Sequence, residues 1–225
     1  MGGRVWLSAL CLGIFLSTGC GSSGSSSSTA QLRFFQASPD APHANVLVDG
    51  ASVATNLGYG NSTGYISVKS GSRHIQIVPV NGSSPILDES LSISSGANQT
   101  LLLTGPAASI KPVVLTDGGT KVTTGEGYVR VVNASSTMGP ADVYIVAAGT
   151  SIAGLKPVVG KVAFDKDTGY QLTAAGNYQV FMTAPGTTNA FLSTGPIDLT
   201  ASAHQTSVAL DSVSGGFTYA LLTDQ

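Results

Sequence analysis

Residues 33–38 read RFFQAS, and residues 130–135 read RVVNAS. A second stretch returns at the same spacing, because ANVLV at 44–48 reappears as ADVYI at 141–145. Both pairs are displaced by 97 positions. A repeat with a period of this length indicates two copies of one domain, and this decides the fold.

The repeat continues to the last residues of the sequence at a slightly larger spacing. TGY at 63–65 matches TGY at 168–170, and LTD at 115–117 matches LTD at 222–224. Additional residues of the second copy therefore lie between its ADVYI segment and its TGY segment. Each copy holds about 95 residues, which is enough to build one hydrophobic core. The sequence does not predict how the two copies are arranged.

Within each copy, apolar and polar residues alternate with the period of a β-strand. In LDESLSI at 87–93, Leu87, Leu91 and Ile93 share one face, and Glu89 interrupts it, which predicts a sheet margin there. Short alternating segments separated by glycine turns, about seven per copy, are typical of a β-sandwich. We therefore predict an all-β protein with two tandem immunoglobulin-like antiparallel β-sandwich domains after a signal peptide and a flexible linker.

The beginning of the sequence predicts export. Arg4 precedes an apolar run of about a dozen residues, too short to cross a bilayer as a helix and typical of a secretion signal. The predicted boundaries are a signal peptide at 1–19, a lipidated cysteine with its tether at 20–30, a first sandwich at 31–117, a linker at 118–126 and a second sandwich at 127–225.

Small residues precede a cysteine in LSTGC at 16–20, which resembles the bacterial lipoprotein cleavage motif. The resemblance implies cleavage before Cys20, a diacylglyceryl group on its sulfur and an acylated amino end. The alternative is an ordinary signal peptide cleaved near the same point. The segment GSSGSSSST at 21–29 has the composition of a flexible tether. We expect an exported protein, lipid-anchored to the bacterial envelope, at the outer membrane where the cell has two membranes.

Cysteine content and charge argue against several classes of function. The two cysteines are Cys11 in the signal peptide and Cys20 at the lipid site, so the mature domains would contain no disulfide and no free thiol. Without Arg4, nine basic residues stand against twelve acidic ones. This balance provides no positive field for nucleic acid. We predict no nucleic-acid partner and no cofactor.

The segment SPDAPH at 38–43 contains the three residue types of a serine-hydrolase triad. Its two prolines hold the segment extended, so that the three side chains would point apart. The second copy has SSTMGP at the matching positions, without the aspartate or the histidine. We interpret Ser38 and Asp40 as residues that cap turns. We predict no catalytic residue, and we take Ser38, Asp40 and His43 as a candidate partner-contact loop.

Metal-ligand patterns are weak. His43, His74 and His204 lie far apart in the sequence and show no zinc-ligand spacing. Asp165 and Asp167 could contribute to a calcium site, but a solvated turn is the simpler interpretation because a third ligand is missing. We predict no metal site.

The first copy reads RFFQASPDAPHANVLVDG at 33–50, followed by LGYG at 57–60 and STGY at 62–65. These segments resemble the bacterial family of domains of unknown function numbered 4397 (DUF4397). The resemblance covers the whole first copy and, more weakly, the second. It implies a secreted or envelope-anchored β-domain, often in tandem, and it implies no particular reaction.

We predict a membrane-anchored cell-envelope lipoprotein that acts as a noncatalytic surface binding or structural module, and not as an enzyme. The expected partners are the membrane, through the lipid on Cys20, and a glycan or an envelope protein. Tyrosines near glycines suit sugar or peptide contact, although Tyr65 and Tyr170 occupy equivalent positions, as core-packing residues would. The alternative is a hydrolase of envelope polymers with a site between the two copies, and a third possibility is an architectural spacer.

Overall fold

The computed structural model describes residues 1–3, 28–119, 121 and 123–225. The predicted signal peptide from Arg4 onward, Cys20 and most of the predicted tether lie outside the described residues. No helix among the described residues is long and apolar enough to cross a membrane.

The first copy folds into two four-stranded sheets that face each other. Its strands are β1 (Thr29–Gln36), β2 (Ala44–Val48), β3 (Ala51–Leu57), β4 (Ile66–Lys69), β5 (Gly71–Pro79), β6 (Leu87–Ile93), β7 (Asn98–Thr104) and β8 (Lys111–Asp117). Sheet A has the strand order β4-β1-β7-β8, and sheet B has the order β3-β2-β5-β6. A short 3₁₀ turn, Ala107–Ser109, connects β7 to β8.

The second copy repeats this plan with more strands. They are β9 (Glu126–Asn133), β10 (Ala141–Ala147), β11 (Val159–Val162), β12 (Lys166–Asp167), β13 (Gln171–Ala174), β14 (Gly176–Thr183), β15 (Ala190–Ser193), β16 (Ile197–Leu199), β17 (His204–Asp211) and β18 (Phe217–Asp224). Sheet C has the order β12-β9-β17-β18 with β13 also on β9, and sheet D has the order β11-β10-β14-β15 with β16 also on β14. Both copies exceed the seven predicted strands. In the second copy, β15 and β16 together take the place of β6, and β12 pairs with β9 where the first copy has only an isolated bridge between Phe35 and Ser62.

The predicted fold class, an all-β protein built from tandem sandwiches, is confirmed. The strand pairs are antiparallel except for one in each copy, β1 with β7 and β9 with β17. The strand orders place the first strand of each copy, β1 or β9, in the interior of its sheet. A parallel pair needs a long connection, and here the connection contains the strands of the opposite sheet.

The alternating segment 87–93 forms β6, an edge strand of sheet B. Leu87 and Ile93 are buried and Leu91 is partly buried, whereas Glu89 is exposed. The prediction that Glu89 lies at a sheet margin is therefore confirmed. At the edge of the sheet, the Glu89 carboxylate can stay in water although it lies on the otherwise apolar face of β6.

Each sandwich closes around its own hydrophobic core. In the first copy, Leu32 and Phe34 of β1 belong to the same fully buried cluster as Ile75 and Ile77 of β5. The second copy builds the corresponding cluster from seven of its strands, with Val129, Val131, Val143, Val180 and Met182 among its members. Inward-facing residues of both sheets thus fill the space between the two layers of each sandwich.

A third hydrophobic core joins the two copies. It contains residues from the outer faces of sheets A and C, including Phe35, Leu102 and Leu115 of the first copy and Val132, Val208 and Leu222 of the second. The sheets are therefore layered in the order B, A, C, D. Sheets A and C are covered on both faces, which explains why the repeated strands β1 and β9 are almost completely buried.

The two sandwiches lie side by side with corresponding ends together. At one end, the side-chain amide of Asn98 donates to the carbonyl of Gln225 at 2.8 Å. At the other end, the hydroxyl of Tyr59 donates to the carbonyl of Asp211. We call the first end, where β1 begins at Thr29, the tether pole. The opposite end, with the loops that follow β1 and β9, is the distal pole.

Candidate functional site

The SPDAPH loop follows β1 at the distal pole, and its first residues are tied into the sandwich. Ser38 is fully buried. Its N–H donates to Oε1 of Gln36 at 3.0 Å, and its hydroxyl donates to Asp40 at 3.3 Å. The Asp40 carboxylate also accepts the N–H of Ala107 at 2.8 Å. Asp40 therefore caps a backbone N–H of the connection between β7 and β8, and not one of its own turn.

The second copy keeps this arrangement, but its carboxylate comes from the end of a strand and not from the loop itself. Asn133 stands in the place of Gln36, and its Oδ1 accepts the N–H of Ser135 at 3.3 Å. The hydroxyl of Ser135 donates to Asp211, at the end of β17, at 2.5 Å. A serine bonded to a carboxylate thus recurs in both loops, although only the first copy has SPDAPH. This recurrence favours a structural role for Ser38 and Asp40.

His43 does not join Ser38 and Asp40. Its ring is exposed, and Nδ1 lies 3.0 Å from Oδ1 of Asn56 on β3. No hydrogen bond within the described part of the chain links the imidazole to Ser38 or to Asp40. A nucleophile needs its base within hydrogen-bond reach, so the three residues do not form a triad in this structure.

A groove at the distal pole of sheet B includes His43. The groove measures about 550 Å³ and is lined by Pro42, His43, Asn56, Pro79, Val80, Asn81 and Gly82. One wall is the tight turn after β5, closed by a hydrogen bond from the N–H of Gly82 to the carbonyl of Pro79 at 3.0 Å. Its size lies within the range of roughly 300–1,000 Å³ that small-molecule sites occupy. We call it the His43 groove.

Backbone constraints hold the polar residues of the His43 groove in place. Asn56 has a left-handed backbone with φ of 58°, and its N–H donates to Oδ1 of Asn45 at 3.1 Å. The ring of His43 lies against Gly58, where a Cβ would come within 2.8 Å of Cε1 and Nε2. Gly58 is therefore needed for the present position of the imidazole.

The second copy has no equivalent of this polar pair. Lys161 takes the place of Asn56 with nearly the same φ, 57°, and its N–H donates to Oδ1 of Asp142 at 2.8 Å. Pro140 stands where the first copy has His43. The N–H of Gly186 donates to the other oxygen of Asp142 at 2.8 Å. The strained turn is thus common to both copies, whereas the pairing of His43 with Asn56 belongs to the first copy.

A buried charged cluster lies between the copies, near the tether pole, and sequence reasoning missed it. Arg33 pairs with Asp224 of the other copy, and Arg130 pairs with Asp117 at 2.5 Å. The side chains of both arginines are at most 5% exposed, and the carboxylates are fully buried. Two positive and two negative charges are thus enclosed together and balance each other.

Hydroxyl groups from both copies complete the cluster symmetrically. Nε of Arg33 donates to Thr100 at 2.8 Å, and Nε of Arg130 donates to Thr206 at 2.9 Å. Each threonine in turn donates to the aspartate of its own copy. Buried charges are tolerated only when they are paired and hydrogen-bonded in this way.

Tyr65 and Tyr170 cover the charged cluster instead of packing in a hydrophobic core. Each ring lies over an arginine of its own copy, Arg33 at 4.7 Å and Arg130 at 4.5 Å from the ring centres. The hydroxyl of Tyr65 donates to Asp117 at 2.8 Å. Burial, followed by the nearby negative charge of Asp117, raises the pKa of Tyr65 above its usual range. The equivalence of the two tyrosines is confirmed, but their environment is polar.

None of the seven tyrosines, all of which the structure describes, belongs to the exposed side chains. Tyr144, for example, is 3% exposed. The tyrosines therefore do not form an open aromatic surface for sugar or peptide contact.

The histidines and the acidic turn stand apart from one another. His74 pairs with Asp88 on the exposed face of sheet B, and the ring of His204 stacks on Tyr128 at 5.0 Å. Asp167 accepts the N–H of Gly169 at 2.6 Å. Within the described ranges, no group of three or more histidines, cysteines or acidic residues could hold a metal ion.

Comparison with known proteins identifies the family. The family model described as "Domain of unknown function (DUF4397)" matches residues 30–144 and again residues 128–225. The predicted family resemblance is therefore confirmed for both copies. A search among curated proteins gives no match.

Two solved structures show a low similarity to the chain. One is the carbohydrate-binding module CBMbc (family CBM26) of Eubacterium rectale Amy13K, crystallised with maltoheptaose, at 12% identity and a TM-score of 0.27, with coverage of 85% of this chain and 95% of that chain. The other is a proposed cell adhesion protein of Bacteroides fragilis, at 10% identity and a TM-score of 0.23, with coverage of 87% and 98%. At these TM-scores, neither similarity carries an argument about function.

Proposed function

The chain belongs to the DUF4397 family, with two tandem copies, and on this premise we propose that it is a lipid-anchored envelope protein that presents its distal pole to a partner. In this proposal the double sandwich is a noncatalytic module. One observation carries the proposal: β1 begins at Thr29, within the last residues of the predicted tether, and ends at the loop that leads into the His43 groove. Eight residues of strand separate the two points by about 25 Å.

The tether and the lipid would set the height and the orientation of the module. A flexible tether with the Ser/Gly composition of segment 21–28 would span on the order of 16 Å. Acylation of both the sulfur and the amino end of Cys20 gives stable attachment, because one chain alone binds a membrane only marginally. The tether pole would then face the lipid, and the His43 groove would face away from it.

The interface between the copies supports presentation as one body. The third hydrophobic core and the charged cluster join sheet A to sheet C over most of their length. The SPDAPH loop and the equivalent loop of the second copy are therefore held side by side at the distal pole. A fixed set of loops binds with a smaller loss of entropy than loops on two freely moving domains.

The alternative of a hydrolase with a site between the copies has less support. The described space between sheets A and C is filled by Phe35, Val132 and their apolar neighbours. Asp117 and Asp224, the acids that lie there, each pair with an arginine. Carboxylates held in ion pairs inside a packed interface are poorly placed to meet a polymer substrate.

Two measurements test the proposal. In cells fed a clickable fatty acid, the wild-type chain should be labelled and Cys20→Ser should lose the label, whereas Cys11→Ser should keep it. The full chain in detergent should retain a component of an envelope extract in a pull-down. A persistent label on Cys20→Ser would refute the anchoring, and failure to retain any envelope component would refute the binding role.

A further inference from the structure

We propose that the His43 groove binds an uncharged, hydroxyl-rich ligand, namely one or more neutral sugar units. This inference rests on the proposed function, because it names the class of ligand that the distal pole would take. It depends on the chemistry of the lining, on the way that the lining is held, and on a comparison between the two copies.

The lining carries no carboxylate, no lysine and no arginine. Its residues are two prolines, two asparagines, a valine, a glycine and His43. Sites for phosphate, sulfate or carboxylate groups normally supply arginine or lysine. Cationic ligands would require carboxylates or open aromatic faces. A lining without carboxylates, lysines or arginines is complementary to an uncharged ligand.

The polar groups of the groove suit hydroxyl groups. Oδ1 of Asn56 accepts from Nδ1 of His43, which leaves Nε2 as an acceptor in the neutral ring. The side-chain amide of Asn81, exposed on the turn after β5, offers both a donor and an acceptor. A sugar hydroxyl both donates and accepts, so it can satisfy an imidazole nitrogen and an amide together.

The apolar groups suit the C–H faces of a sugar ring. Pro42 and Pro79 present rigid rings, and Val80 is 45% exposed beside them. Small-ligand sites typically combine such an apolar surface with a few fixed polar groups. Because Gly58 and Asn45 hold His43 and Asn56 in place, little order would be lost on binding.

The second copy serves as an internal comparison. It keeps the left-handed turn, with Lys161 in place of Asn56, but it has Pro140 where the first copy has His43. Asp142 accepts two backbone N–H groups there, from Lys161 and Gly186. The fold therefore does not require the pairing of His43 with Asn56, and a binding role in the first copy accounts for it.

The test uses the full chain in detergent on an array of oligosaccharides. The neutral probes are unsubstituted oligomers of glucose, galactose, mannose and N-acetylglucosamine, and the comparison probes are uronic-acid oligomers, sulfated oligomers and peptides. We expect binding to one neutral class, weakened at least tenfold by His43→Ala and by Asn81→Ala. His74→Ala is the matched control, because His74 is a partly exposed histidine of the same sandwich outside the groove, and it should bind as the wild type does.

Circular dichroism of each variant shows whether the fold is kept. Binding that is unchanged in folded His43→Ala, binding only to acidic sugars or peptides, or no binding to any neutral probe would overturn the inference. In each of these cases, retention of an envelope component by the wild-type chain would leave the proposed function standing. Loss of that retention as well would remove both.

Discussion

Arg33 of the first copy and Asp224 of the second copy form a buried ion pair, although 191 positions separate them in the sequence. Their equivalents, Arg130 and Asp117, form the same contact in the reverse direction. Each charged group is buried, so water could not solvate it if its partner were removed. The two copies are therefore joined by electrostatic complementarity in addition to apolar contact.

Removal of one arginine should destabilise the whole protein. We expect Arg33→Met to lower the free energy of unfolding by about 3–5 kcal/mol, because two buried carboxylates, Asp117 and Asp224, would remain with only Arg130 to balance them. Urea unfolding followed by circular dichroism measures the change. Arg73→Met is the control, since Arg73 pairs with Asp49 near the surface at 2.8 Å and such pairs contribute only about 0–1 kcal/mol. Equal effects of the two substitutions would contradict the assigned role.

The third hydrophobic core should make the two copies unfold together. We expect one heat-absorption peak for the wild type in calorimetry. Phe35→Ala removes a fully buried ring from the inter-copy core, and Phe34→Ala removes one from the core of the first copy. Each should cost about 3–5 kcal/mol, but only Phe35→Ala should split or broaden the transition. Two peaks in the wild type would argue against a shared core.

The sequence predicted the two sandwiches because local patterns encode strands and turns. Comparison of the two copies matched the residues that form the charged cluster, since Arg33 matches Arg130 and LTD at 115–117 matches LTD at 222–224, but it did not predict the cluster. A repeat shows which residues of the two copies are equivalent, and it does not show which residues are in contact. The contacts depend on the orientation of two bodies, which no local pattern specifies.

One signal in the sequence does indicate the buried interface. Strand β1 reads FF at 34–35 and β7 reads LLL at 101–103, so neither alternates at these positions with small polar residues as a half-exposed strand would. Continuous apolar runs are typical of strands covered on both faces. This pattern could have predicted a layer on the outer side of sheet A.

The His43 groove could be predicted only in part. The SPDAPH loop drew attention to His43, but the wall formed by Pro79–Gly82 comes from the turn after β5. His43 meets Asn56 because β2 pairs with β3, with Ala44 opposite Leu57. Strand register decides which turns are neighbours, and the sequence did not provide the pairing order.

Alkaline pH should weaken the contact between the copies at the distal pole. Burial, together with the negative charge of Asp211, raises the pKa of Tyr59 to about 12, against about 10 in the unfolded chain. The unfolded state therefore releases this proton first, so stability is fully present below about pH 10 and falls as the pH rises toward about 12. In urea unfolding at a series of pH values, Tyr59→Phe should show a shallower loss over this range.

Tyr178→Phe is the matched control for the alkaline series, because Tyr178 is a partly buried tyrosine of the second copy's own core. It should keep the alkaline slope of the wild type. Tyr59→Phe should also be less stable at neutral pH, since the hydrogen bond to the carbonyl of Asp211 is lost. Identical slopes for the wild type and Tyr59→Phe would show that Tyr59 does not report on the interface.

Acid should weaken the distal loop of the second copy through Asp211. Burial alone would raise the pKa of this carboxyl, but hydrogen bonds from Ser135, Thr137 and Ser136 outweigh it and lower the pKa below its usual value. A lowered pKa in the folded state means that stability is present above about pH 4 and is lost as the pH falls through the folded-state pKa. Asp211→Asn should lack this acid dependence.

At neutral pH, Asp211→Asn should be less stable than the wild type by about 1.5–3 kcal/mol, the scale of a hydrogen bond to a charged group. The difference should shrink as the wild-type carboxylate becomes protonated in acid. Asp198→Asn, an exposed position on β16, is the control and should change little. A constant difference between Asp211→Asn and the wild type from neutral pH down to acid unfolding would show that the serine and threonine hydroxyls do not depend on the negative charge of Asp211.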